Sequence, residues 1–326
     1  MIRRIRNLNE HSRAGSTGRF RRNRTSTHPT FFGLESLEGL ESRVTPATLS
    51  DGGTAVLSLA LAANEQLNIT SVGTSYLFGT NQTFSDGGVA APADFSAFGV
   101  ASVELLASGL TRYSAIYVYD TGAGTRIQVQ SSTGPFSDSL LFSQTNGAAT
   151  TAVGLHGTIT FTGSAALNVA ADNTVYITAD ITTATGNIQV TASSATGNAV
   201  QISDGGSLLS TEGAISVVGT STSVNPSANG LLLGAGASIS AQGSGAGATV
   251  TLQGTNTGAG IGFQLSNTAE VSTNAGNVIV SGQSANSHGA YLGVNVQVTS
   301  TAGAISVTGS SASLNPGHYG LLVEYT

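Results

Sequence analysis

The sequence predicts an all-β protein built as a parallel β-helix, a β-solenoid with about 28–30 residues per coil. Three observations carry this reading. The stretch GAISVVGTSTSVNPSANGLLL at residues 213–233 returns as GAISVTGSSASLNPGHYGLLV at residues 303–323, identical at 13 of 21 positions and without a gap. Strand-like aliphatic pieces recur at Ile188, Ile215, Val250, Val278 and Ile305, spaced 27, 35, 28 and 27 residues apart. Charged residues make up only 9% of the chain, and 43 glycines accompany a surplus of Ser, Thr and Asn.

Each element follows from these. Ile215-Ser216-Val217 and Ile305-Ser306-Val307 alternate aliphatic and hydroxyl residues, the period-2 pattern of a strand with one face buried. Within one repeat, Gly230–Leu233 and Gly236–Ser240 supply two further strand-like pieces, separated by Gly and Asn turns. The next repeats keep the plan with Ile261–Leu265 and Glu270–Ser272, then Tyr291–Val294 and Val296–Val298. One coil cannot cover its own apolar face, but stacked coils pair every backbone group with a neighbour. Ile188, Ile215, Val250, Val278 and Ile305 are therefore expected to form one aliphatic column. Extended backward, the spacing places Ile159 and then Ile127 on the same column. The low charge fits as well, since stacked like charges along an outer face would repel.

The regular array is expected over residues 154–326, and residues 48–153 read as an irregular β region, either early coils or an N-terminal cap. Strands are expected at 55–61, 66–72, 75–79, 102–108, 114–120, 126–130 and 139–143. Gly320–Val323 matches Gly230–Leu233 three residues before the sequence stops, so an array cut in mid-coil is expected.

Charge is unevenly placed. There is no Lys, and nine of the eleven arginines lie in residues 1–43 beside four glutamates, while the remainder holds thirteen acids against Arg112 and Arg126. An acidic body of this kind should repel nucleic acid. No run approaches the 18 or so apolar residues of a membrane-spanning helix. Zero Cys excludes disulfides and thiol catalysis. Residues 1–30 are expected to be disordered; their composition also fits a transit peptide or a polyanion-binding tail, and they lack the apolar core of a standard secretory signal. Residues 31–47, FFGLESLEGLESRVTPA, place Leu34, Leu37 and Leu40 at every third position and end at Pro46, which allows a short amphipathic helix. Within that stretch Leu37, Glu38, Leu40, Glu41, Arg43 and Pro46 resemble the LE-x-LE-x-R-x-x-P segment near the N-terminus of large planctomycete extracellular and surface proteins, with Ser42 where that family carries Asp. The resemblance covers roughly residues 19–47. It implies that the leader sorts the chain to the export machinery, that long β-rich repeats follow, and that the protein ends at the cell surface or outside.

Catalytic chemistry is poorly supplied. Parallel β-helices include polysaccharide lyases and glycosidases, which set two or three carboxylates, with an Arg or Lys base or a calcium ion, on adjacent coils. The coil acids Asp172, Asp180, Asp204, Glu212, Glu270 and Glu324 read as standing at unrelated offsets; Asp204 and Glu212, across one turn, are the one candidate pair. Three Asp-Gly-Gly stretches, at 51–53, 86–88 and 204–206, read as turns rather than as tandem calcium loops. His156, His288 and His318 lack a partner at metal-ligand spacing. Gly254–Gly262 has no phosphate-loop lysine. Tyr113, Tyr117 and Tyr119 offer an aromatic patch for sugar stacking, and Asn68 and Asn81 begin N-x-T sequons. The expectation is a non-enzymatic structural or adhesive solenoid, without catalytic residues, metal or cofactor, whose partners would be surface polysaccharide or other envelope proteins; the competing expectation is a carbohydrate-active β-helix enzyme.

Overall fold

The computed structural model describes residues 46–147, 152–203 and 205–325. Leu37, Glu38, Leu40, Glu41 and Arg43 lie outside them, as does Asp204; Pro46 leads directly into the strand Ala47–Ser50. The described chain is a parallel β-helix, with a single 3-10 turn at Pro92–Asp94 and a one-turn helix at Ala107–Leu110. Its strands fall into two sheets of eleven and one of six. A regular coil takes one strand from each: Ile188–Ser194 in the first sheet, Val200–Ile202 in the second, Ser207–Ser210 in the third. The next coil repeats this with Ile215–Ser221, Leu231–Leu233 and Ser238–Ala241.

Like residues stack at equal heights. Ile188, Ile215, Val250, Val278 and Ile305 are register partners in one continuous ladder. A second ladder, Val190, Val217, Leu252, Val280 and Val307, runs beside it. Ile188 through Val278 are fully buried, and each such side chain contributes about 1.5–3 kcal/mol of apolar transfer free energy. Toward the N-terminus the first ladder continues through Leu167, Leu140, Ile116 and Leu57, not through Ile159 and Ile127. Those two sit in other sheets: Ile127 pairs with Val153 and Leu67 in the second, and Ile159 pairs with Ile181 in the third. A short aliphatic strand reads the same in all three sheets, so spacing alone assigns it to the wrong one.

The strands of residues 47–144 share sheets with those that follow. Val56–Leu61, Ala115–Asp120 and Ser139–Gln144 are parallel rungs of the first sheet, leading into Leu167–Ala171. Beyond Val56–Leu61 the pattern changes. Ala47–Ser50 pairs antiparallel with it, and in the second sheet Ser75–Thr80 pairs antiparallel with both Gln66–Val72 and Ser102–Leu105. These strands cover the N-terminal edge of the stack.

Corners are fixed by small polar side chains that bond across coils. Ser221, Ser284 and Ser311 donate to the carbonyls of Gly197, Gly260 and Ser287 at 2.9, 2.8 and 2.6 Å. Asn187 and Asn277 accept from the backbone N–H of Ala214 and Ala304 in the following coil.

At the corner between the first and second sheets the tube thins to two backbones. Gly219, Gly254, Gly282 and Gly309 form one inward column, facing a second column of Gly230, Gly262, Gly289 and Gly320. A Cβ on Gly254 would lie 2.1 Å from the carbonyl oxygen of Gly262, and one on Gly282 would lie 2.2 Å from that of Gly289. Only glycine allows this approach. In earlier coils Ala192 and Ala171 occupy the place of Gly219.

Candidate ligand-binding face

The outer face of the first sheet is hollowed over the column of Gly219, both where glycine occupies it and where Ala171 and Ala192 do. One depression of about 250 Å³ is lined by Gln253, Thr255, Ser281, Gln283, Thr308, Ser310 and the intervening glycines. A second, of about 320 Å³, lies on the same face and includes Ser143, Gln144, Ala170, Asp172, Thr191, Ser193 and Thr220. The two are sections of one axial trough, because Ser143, Ala170, Thr191, Val218, Gln253, Ser281 and Thr308 are successive partners along a single outward ladder.

Its electrostatics are simple. Every outward-facing residue of the first-sheet strands from Ser139–Gln144 to Ile305–Ser311 is uncharged. Asp172 is the one carboxylate among the lining residues, and its Oδ1 accepts the N–H of Gly147 at 2.8 Å.

The tyrosines flagged in the sequence separate. Tyr117 and Tyr119 project outward from the first sheet and stack on each other, centroids 5.3 Å apart and planes 21° apart. Tyr119 is the register partner of Ser143 and so extends the outward ladder of the trough by one coil. Tyr113 is buried instead, donating its hydroxyl to Asp51 Oδ2 at 3.0 Å.

Around Asp51 the structure gathers two acids and an arginine near the N-terminal edge. Arg112 Nε bonds Asp94 Oδ2 at 2.9 Å, and Asp51 accepts from the N–H of Gly53 and Ala90 as well as from Tyr113. Burial pushes the Asp51 carboxyl up, but these bonds and the Arg112 charge outweigh it and hold the group below the ordinary carboxylate range. The bond to Asp94 makes Arg112 harder still to deprotonate. Tyr113 is raised by burial and by Asp51. A lyase-type base must shed its proton and a general acid must keep one near neutral pH; this cluster is poised for neither. It ties the loops at 51–54 and 86–94 to the body.

Other candidates resolve into structure. Asp51 and Asp86 both close turns, accepting from the N–H two residues on at 2.9 and 2.8 Å. Asp180 and Glu270, read as unrelated in the sequence, stand on one ladder of the third sheet, through Ser207 and Ser238. Three strand spacings separate them by about 14 Å, beyond the roughly 5–9.5 Å of a glycosidase pair. Asp180 accepts the Ser207 hydroxyl at 2.7 Å. Arg126 opens the second-sheet strand Arg126–Val129. His156 is engaged by Thr178 Oγ1 and Gln128 Oε1 at 2.9 and 2.7 Å.

His288 and His318 do meet, with ring centroids 5.4 Å apart, and Tyr319 stacks on His288 at 5.9 Å. Their thirty-residue offset is one coil, which is the signal that could have paired them. His288 Nδ1 accepts the N–H of Tyr319; burial, then the neighbouring His318, push its pKa below the ordinary histidine value. Among the described residues no group of three or more His, Cys, Asp or Glu is placed to hold a metal ion, and no helix is long and apolar enough to cross a membrane.

Comparison with protein-family models, curated proteins and solved structures finds no match to this chain.

Proposed function

We propose that this chain is a non-enzymatic β-solenoid of the cell surface or extracellular space, acting as a structural or adhesive element of the envelope. The observation that carries the reading is the long, uncharged, hollowed face of the first sheet, repeated coil after coil on a rigid tube. A repeated surface of that kind suits an extended partner better than a single small substrate. The position of the acids supports it too, since Asp51, Asp94 and Asp120 are buried against hydrogen-bond donors rather than gathered in a cleft. The resemblance of Leu37–Ala47 to a sorting segment supports export through the leader, toward surface polysaccharide or envelope proteins as partners.

The test is localisation in the cell that encodes the chain. The full-length protein should be recovered at the surface or in the medium and be cleaved by protease added to intact cells. Deleting residues 1–47 should retain it inside. Intracellular accumulation of the full-length chain would overturn the proposal, as would release of new reducing ends from polysaccharide by the purified protein.

A further inference from the structure

We infer that the axial trough on the first sheet is a cleft for a neutral, unbranched polysaccharide lying along the solenoid axis, with the Tyr117–Tyr119 pair as the stacking platform at its head. This deepens the adhesive reading and rests on it.

Four features select the ligand. Apart from the coil of Ala170 and Asp172, every coil of the lining offers hydroxyls or amides, groups that both donate and accept, as sugar hydroxyls do. Its one charge is the carboxylate of Asp172, and the body beneath is acidic, so an anionic glycan or nucleic acid gains nothing there. The ladder repeats at one strand spacing, about 4.8 Å, close to the length of one pyranose ring in an extended glycan, so successive sugars meet equivalent positions. Tyr119 carries the outward ladder one coil beyond Ser143, ahead of the small residue Ala60, and Tyr117 lies two residues before it, on the side away from the trough. Tyrosine presents an apolar ring at low entropic cost with a polar tip, which suits the apolar face of a sugar.

An extended peptide is the weaker occupant. Peptide capture by a sheet uses an unpaired edge, whereas the trough floor is a sheet face whose backbone groups already pair with the adjacent coils.

From Tyr119 to Thr308 the trough crosses seven strand spacings, room for about seven sugar units. Titration calorimetry of the full chain with neutral cello-, xylo-, manno- and malto-oligosaccharides, from disaccharide to decasaccharide, should find one series whose affinity climbs with length and levels off near that size. Tyr117→Ala combined with Tyr119→Ala should weaken binding by tenfold or more. Ser281→Arg, in the half of the trough far from the tyrosines, should weaken long oligosaccharides and leave short ones unchanged, and it serves alone if the tyrosine variant melts early. The proposal falls if no neutral series binds at millimolar concentration, if affinity ignores length, if both variants bind as the parent does, or if polygalacturonate or a Ser/Thr-rich peptide binds more tightly. Failure here with the protein still displayed at the surface removes the ligand and leaves the envelope role; binding here without display does the reverse.

Discussion

Substituting Gly254 by Ala adds one methyl group, and the structure says where it goes. The new Cβ would sit 2.1 Å from the carbonyl oxygen of Gly262, with the Gly262 carbonyl carbon at 2.7 Å and the Phe263 Cα at 2.9 Å. All three are backbone atoms, so no side chain can swing away. The oxygen is already in use, accepting the N–H of Leu231 from the preceding coil at 3.0 Å. Relief of the clash must therefore part the two walls of the corner and stretch a rung of the second sheet. Overpacking of a dense interior costs about 1–3 kcal/mol, and a buried hydrogen bond left unmade costs about 1–3 kcal/mol more. The expected loss is about 2–6 kcal/mol, or roughly 5–20 °C in melting temperature for a body of this size. Gly247→Ala is the control: its Cβ would meet nothing within 4 Å, and the change should stay within about 0.5 kcal/mol. Thermal and urea unfolding followed by circular dichroism would measure both. If Gly254→Ala melts with the parent and the Gly247 control, the two glycine columns do not touch and the pinched corner is wrong.

Three further predictions follow from local geometry. Gly205, Gly236, Thr268 and Asn295 each sit in a left-handed turn between the second and third sheets, and Thr268, with φ of 62°, is the only β-branched residue among them; Thr268→Asn should raise stability by about 1 kcal/mol in the same melts. Asp138 is buried and its carboxyl is pushed up to about 6 by desolvation, partly offset by the Tyr76 and Ser137 hydroxyls. Because the folded pKa exceeds the unfolded one, its contribution is fully present below pH 3.8 and is lost as pH rises through about 6, so Asp138→Asn should flatten the pH dependence of the melting temperature between those values. His288 should titrate below 6.5 by NMR, and His318→Asn should bring it back up by removing a neighbouring charge.

Legibility in the sequence followed the kind of information each feature needs. The column through Ile215 and Ile305 was visible because period-2 alternation fixes which side chains point inward and the ninety-residue offset fixes their height. Ile127 and Ile159 were misplaced because a three- or four-residue aliphatic strand carries no mark of its sheet. The thirty-residue offset of His288 and His318 and the ninety-residue offset of Asp180 and Glu270 are coil multiples, a signal that the sequence carries for the contact of the first pair and the shared ladder of the second. The trough was not legible. The alternation in Ala115–Asp120 puts Tyr117 and Tyr119 on the outside, but the hollow between Gln253 and Ser310 lies over two glycine columns facing each other across a corner. No linear pattern shows that Gly254 opposes Gly262.

Stacking itself can be measured through the outward ladder Gln189, Ser216, Thr251, Ile279 and Ser306. The chain has no cysteine, so pairs such as Gln189→Cys with Thr251→Cys, Ile279→Cys or Ser306→Cys can carry spin labels on a clean background. Pulsed electron resonance should return separations that grow by about 4.8 Å per coil, reaching roughly 19 Å for the outermost pair, even though the intervening segments are 27, 35, 28 and 27 residues long. Separations that track segment length, or that scatter, would contradict the stacked ladder.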